Sequence, residues 1–161
     1  MTEPASTPAV GEAAPDFVLP NQHGEPVALS ALRGGTVVVV FYPFAFSGIC
    51  TGELCQLRDN LAEFATAQAR VLAVSVDSKY ALRAYAQAEG LEFDLLADFW
   101  PHGEVARRYG VFNTQRGMAE RGTFIIDAAG VLRASFSTPV GQPRPLERYR
   151  EALAQLASNG H

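Results

Sequence analysis

Only two cysteines, two methionines, one tryptophan and three histidines occur in the 161 residues of this chain, and each scarcity excludes something. Cys50 and Cys55 stand five positions apart while His23, His102 and His161 are scattered singly, so the close-spaced ligand set of a metal site is missing. No Cys-x-x-Cys occurs, which argues against a thioredoxin-like disulfide oxidoreductase. The longest apolar run, Val37 to Phe41, falls far short of the roughly 20 residues a membrane span needs. Thirteen basic against 17 acidic residues leave a net charge of −4. With no basic run or basic–aromatic stripe, nothing is laid out to hold a nucleic-acid backbone. Met1–Val10 carry neither positive charge nor apolar core, so residues 1–10 read as a short disordered tail, not a signal peptide. Cysteines without an export signal are expected in a reducing cytoplasm, kept for chemistry.

What is present reads as one α/β domain over residues 11–158. Hydrophobic residues at 48% and charged ones at 19% give an ordinary globular balance. Phe17–Leu19 and Pro26–Ala28 flank Asn21–Gly24 as a short hairpin. Val37–Tyr42 and Val71–Val76 are continuous apolar runs, as expected of parallel strands covered on both faces. Between them a helix running to about Gln68 would complete a βαβ crossover. Tyr80–Glu89 is a further helix ended by Gly90, Phe93–Leu96 a short strand, and His102–Tyr109 one or two helical turns. Thr123–Ile126 and Val131–Phe136 form a hairpin about Asp127–Gly130, and Pro145 or Leu146 to Ala157 closes the chain as an amphipathic helix.

The first of these helices carries the chemistry. Leu54, Leu57, Leu61 and Phe64 follow Cys50 at helical spacing and make one apolar stripe. Ser47 is placed to cap the helix, which sets Cys50 in the first turn. There the unpaired N–H groups and the positive end of the helix dipole favour a negative sulfur. Cysteines so placed lose their proton more readily than a free thiol, and only the thiolate is nucleophilic. The competing reading is that Cys50 is a small buried hydrophobe.

Pro43, Ser47 and Cys50 match the Pro-x-x-x-Thr/Ser-x-x-Cys signature of the peroxiredoxins, and Arg121, opening Arg121–Asp127, resembles that family's second active-site element. The likeness runs from about Gly11 to the final helix. It implies a thioredoxin-like fold with an N-terminal β-hairpin, an insertion around residues 79 to 112, and a central mixed sheet flanked by helices. It also implies a thiol peroxidase without cofactor, reducing hydrogen peroxide and organic hydroperoxides. By this resemblance Cys50 is the peroxidatic sulfur, oxidised to a sulfenic acid. Arg121 stabilises thiolate and oxyanion, Ser47 donates a hydrogen bond, and Pro43 shields the sulfur. Each also has an ordinary reading: Pro43 as a strand terminator, Ser47 as a cap, Arg121 as a surface charge. Glu53, one turn after Cys50, is either an acid complementing the helix dipole or the partner of the arginine. Phe44, Phe46, Phe99, Trp100 and Phe112 are candidates for an apolar collar around the sulfur, suited to alkyl or lipid hydroperoxides. Phe46 and Trp100 are equally candidates for a homodimer contact.

Cys55 decides the subtype. Five residues of ideal helix give a rise of about 7.5 Å, a rotation of about 140° and Cα atoms roughly 8.6 Å apart. A disulfide needs them within about 7 Å, so a Cys50–Cys55 bond requires the first turn to unwind. Gly52 between them weakens the helix by about 1 kcal/mol. Phe99–Gly103 and Tyr109–Asn113 are similar to the alkyl hydroperoxide reductase E branch, which works with one cysteine. The five-residue spacing resembles the bacterioferritin-comigratory, or Q, branch, which implies an intrachain disulfide. A resolving Cys55 points to thioredoxin as reductant, and an idle one to a low-molecular-weight thiol with a glutaredoxin-like partner. A non-enzymatic redox sensor is the remaining rival, and it gives no account of Pro43, Ser47 and Arg121 together.

Overall fold

A computed structural model describes residues 7–158. The expected tail over 1–10 therefore lies partly outside the described residues. Within it, Ala9 and Glu12 close a small turn (Glu12 N donates to Ala9 O, 3.1 Å) and Gly11 N donates to Leu132 O.

Five strands form the central sheet. In chain order the strands are β1 (Val18–Pro20), β2 (Pro26–Ala28), β3 (Thr36–Phe41), β4 (Ala69–Ser75), β5 (Asp94–Ala97), β6 (Phe112–Asn113), β7 (Met118–Ala119), β8 (Arg121–Ile126) and β9 (Leu132–Thr138). The helices are α1 (Gly48–Asp59), α2 (Leu61–Thr66), α3 (Lys79–Glu89), α4 (Glu104–Arg108) and α5 (Leu146–Ser158). The sheet order is β5-β4-β3-β8-β9, with β1-β2 and β6-β7 as separate two-stranded ribbons. β3 pairs parallel with β4, which pairs parallel with β5, while β8 runs antiparallel to both β3 and β9. The sheet is mixed, as expected, because a helix joins the first three strands and a tight hairpin the last two.

The unbroken apolar run of β3 is explained by burial on both faces. Val38, Val40 and Tyr42 pack under Leu54, Leu57, Phe64, Leu82, Tyr85 and Tyr149, the helical layer of α1, α2, α3 and α5. Val37, Val39 and Phe41 pack with Phe17, which leads into the N-terminal ribbon, with Val105 of α4 and Tyr109 at its C-terminal end, and with Phe124 of β8. Ser78 accepts from Ala81 N to cap α3, and Gly90 ends it in the left-handed region (φ 65°). No described helix is long and apolar enough to cross a membrane.

One local expectation is corrected, and some small elements are added. The helix expected to reach Gln68 breaks at Asn60 into α1 and α2. There Asn60 takes a non-helical backbone (φ −117°, ψ 18°) and its side-chain amide donates to Gln56 O at 2.8 Å. A short amide that bonds its own backbone competes with the helix ladder, so the chain kinks. The ribbon β6–β7 and a 3₁₀ turn over Leu29–Leu32 carry too little periodicity to be read from sequence.

Candidate active site

The site is built where β3 ends. Tyr42 and Pro43 are buried, and the chain then loops through Phe44, Ala45 and Phe46 into α1. Phe46 lies in the left-handed region (φ 68°), which costs a non-glycine residue about 1–2 kcal/mol. Its ring packs on Tyr85, with centroids 4.9 Å apart, and Ala45 N donates to Asp77 Oδ2 (2.8 Å). These contacts tie the strained loop to β4 and α3.

Cys50 is fully buried in the first turn of α1, inside the helical-layer core. Ser47 is the N-cap residue with extended backbone, but its side chain makes no cap bond; its hydroxyl donates instead to Phe44 O at 3.1 Å. That corrects its expected capping contact: the hydroxyl closes the loop rather than the helix. The cap residue's backbone alone fixes the first turn, through Thr51 N donating to Ser47 O.

Glu53, one turn on, is the hub. Arg121 Nη1 donates to its Oε1 at 2.6 Å and Arg144 Nη2 to the same oxygen at 2.9 Å. Arg144 donates to Oε2 from its backbone N at 2.5 Å and from Nε at 3.0 Å. The side chains of Glu53, Arg121 and Arg144 are at most 3% exposed. Burial alone would push the Glu53 carboxyl up; the hydrogen bonds and charge of Arg144, aided by Arg121, outweigh it and hold the carboxyl below its ordinary value. Arg121 Nε donates to Val140 O (2.7 Å), and its Nη2 makes no hydrogen bond among the described residues. Arg144 Nη1 donates to Gly122 O and to Thr123 Oγ1, which pairs with the Tyr149 hydroxyl.

Arg144 is the residue that sequence reasoning missed. Its one local signal is its setting, Pro143-Arg144-Pro145, where a proline on each side stiffens the backbone that presents it. Tyr42 was likewise read only as part of a strand. Its hydroxyl is buried and makes no hydrogen bond of ordinary geometry among the described residues, and burial, only partly offset by the nearby Ser75 hydroxyl, drives its phenol well above the usual value.

Cys55 lies on the same unbroken helix as Cys50, and both thiols are free. It turns away from the core and donates to Glu89 Oε1 on α3, at 3.5 Å. Burial first, then the Glu89 contact, push its thiol up. Beside it a cavity of about 390 Å³ opens between α1 and Pro143, lined also by Ile49, Gly52 and Gln56.

The expected aromatic collar is only partly assembled. Phe44 and Phe46 stand on the cysteine loop, 40% and 57% exposed. Trp100, 81% exposed, instead lines a different groove with Val18, Pro101 and Arg108. Phe112 is engaged with Arg107, whose guanidinium sits 4.0 Å over its ring, and with His102.

Residues 10–135 match the AhpC/TSA family. The chain is 45% identical over 150 residues to alkyl hydroperoxide reductase E of Mycobacterium tuberculosis, covering 92% of this chain and 98% of that one. It is 38% identical over 132 residues to peroxiredoxin Bcp of Escherichia coli K12, covering 78% and 83%. Among solved structures, Enterococcus faecalis AhpC superposes with a TM-score of 0.86 at 28% identity, covering 94% and 95% of the two chains. Peroxidoxin BcpB of Mycobacterium tuberculosis superposes at 0.80 with 32% identity, covering 92% and 96%.

Proposed function

The chain belongs to the AhpC/TSA family of peroxiredoxins, thiol-dependent peroxidases, and on that premise we propose that Cys50 is the sulfur its peroxide substrate meets. The observation that carries this assignment is the buried Glu53 carboxylate, which gathers Arg121 and Arg144 one helical turn beyond Cys50. A thiolate attacks one peroxide oxygen, and the other leaves with developing negative charge. Cations already desolvated and locked in place stabilise that charge without reorganising. Arg121 Nη2, unspent among the described residues, is the donor for the departing oxygen. Glu53 orients the pair, and Pro43 closes the site against water. Ser47 must rotate its hydroxyl off Phe44 O to assist. Phe44 and Phe46 supply the apolar rim for an alkyl hydroperoxide, and Trp100 belongs with a homodimer contact. The reaction converts Cys50 to a sulfenic acid.

Cys55 is the resolving cysteine in this reading, and the intrachain disulfide forms once the first turns of α1 unwind. Two features support it: nothing lies within 4 Å of a methyl built on Gly52, so that position itself adds no packing against local opening, and Cys55 borders an open cavity where a thioredoxin-class or small thiol can reach the disulfide. The alternative is a one-cysteine cycle reduced by an external thiol. Residues 11–158 form one folding unit in this reading, with the work done in the cytoplasm. Intact mass after one equivalent of hydrogen peroxide, with a sulfenic-acid trap, tests it on wild type and Cys55→Ser. A loss of two mass units in wild type with a trapped adduct at Cys50 in the variant is expected. An adduct at Cys50 in both would establish the one-cysteine cycle, and no change in either would remove Cys50 from the reaction.

A further inference from the structure

Two polar ties join α1 to α3, one on each side of Gly52 and its neighbours. Near the N-terminus, the Tyr85 hydroxyl donates to Thr51 Oγ1 at 3.0 Å. Further along, Cys55 Sγ donates to Glu89 Oε1 at 3.5 Å, and Arg58 Nη1 donates to the backbone carbonyl of the same Glu89 at 2.5 Å. Arg58 also holds Asp59 through Nε (2.9 Å). The first tie sits in the stretch that must open for the two sulfurs to meet. The second sits at the last turn of α3, braced through both side chain and backbone, beyond that stretch.

We propose that Glu89 is a catalytic residue of the resolution step, anchoring Cys55 on the helical half of α1 and accepting its proton as the sulfur attacks. The proposal rests on Cys55 being the resolving cysteine. In the step, the Cys55 S–H bond breaks and its proton passes to Glu89 Oε1. The freed electron pair forms the S–S bond to Cys50 Sγ, and the S–O bond of the sulfenic acid breaks. The departing hydroxide takes up a proton, which Glu89 returns, and leaves as water. Cys55 is oxidised and Cys50 reduced to the disulfide level, so no further oxidant or reductant enters.

The surroundings make such a base necessary. The groups facing the Cys55 thiol are Glu89 and Tyr85 from α3, and Arg58 and Asp59 from its own helix. Glu53 shares the adjoining cavity. Burial and Glu89 hold Cys55 in its thiol form. A thiol is a poor nucleophile, and a carboxylate in hydrogen-bond contact removes its proton only as the new bond forms.

The test is rapid quench after one equivalent of hydrogen peroxide, followed by alkylation and mass analysis, on the full chain between about pH 6 and 8.5. In wild type the rate of disulfide formation is expected to be nearly level with pH. In Glu89→Gln it should fall about 100-fold at pH 7. It should then climb about tenfold per pH unit as solvent removes the thiol proton, while trapped sulfenic acid at Cys50 accumulates. Glu89→Asp should restore the level profile, and Arg58→Met should slow resolution equally at every pH by loosening the anchor. Disulfide formation in Glu89→Gln at the wild-type rate and pH dependence would overturn the proposal. Slowing without a change of profile would overturn the proton transfer. If wild type forms no intrachain disulfide at all, it is the resolving role of Cys55 that fails.

Discussion

Replacing Glu53 by glutamine tests the centre of the site most directly. Four N–H donors converge on this carboxylate from Arg121 and Arg144, in a setting almost closed to water. Glutamine keeps the volume but loses the charge, and its amide nitrogen must face one of the guanidinium groups. Removing one partner of a buried ion pair costs about 3–5 kcal/mol, because the remaining charge is left uncompensated. That is a large share of the roughly 5–15 kcal/mol that holds a typical domain together. With a urea slope of about 2 kcal/mol per molar, the midpoint falls by about 1.5–2.5 M at unchanged slope. Far-UV circular dichroism in urea at pH 7 measures it. A fall below about 0.5 M would refute the reasoning, since the carboxylate would not then be neutralising buried charge. The pH dependence supplies a second check. Glu53 holds its proton more weakly folded than unfolded, so the unfolded chain binds more protons around the ordinary glutamate value, near 4.3. Its stabilisation is complete above that value and is lost as pH falls through the depressed folded one. The gap between wild type and Glu53→Gln therefore narrows in acid.

Cys50→Ser should abolish peroxidase turnover in a coupled assay, and retained turnover would move the chemistry elsewhere. Arg144→Met should lower kcat/KM by about 100-fold or more if it shares the oxyanion load with Arg121, whereas a change below threefold would leave it a purely structural residue. Gly52→Ala should stabilise α1 by about 1 kcal/mol, and slow intrachain disulfide formation about fivefold if the first turns must unwind. Faster disulfide formation would contradict unwinding. Tyr42→Phe removes a buried hydroxyl that makes no hydrogen bond of ordinary geometry among the described residues, so its urea midpoint should hold or rise. A loss beyond about 1 kcal/mol would mean that the hydroxyl has a partner that matters.

Much of the reactive end of the molecule is local, and the sequence by itself determined it. An apolar run, a proline, a short loop and an apolar stripe beginning at a cysteine specify strand, turn and helix through nearest-neighbour preferences. They place Cys50 in a first helical turn whatever the rest of the chain does. The same holds for α3, whose Gly90 stop is legible, and for the hairpin about Asp127–Gly130. Glu53 could be read only as one of two things, because periodicity reports which face is apolar and not which charge lies opposite. The tertiary structure decided that matter: it brings Arg144 across 91 positions to Glu53 and buries both, a pairing no local pattern encodes. It likewise sent Trp100 to another groove and set Cys55 against Glu89. Both depend on how elements distant in the chain pack together, and packing chooses partners by shape and desolvation rather than by spacing.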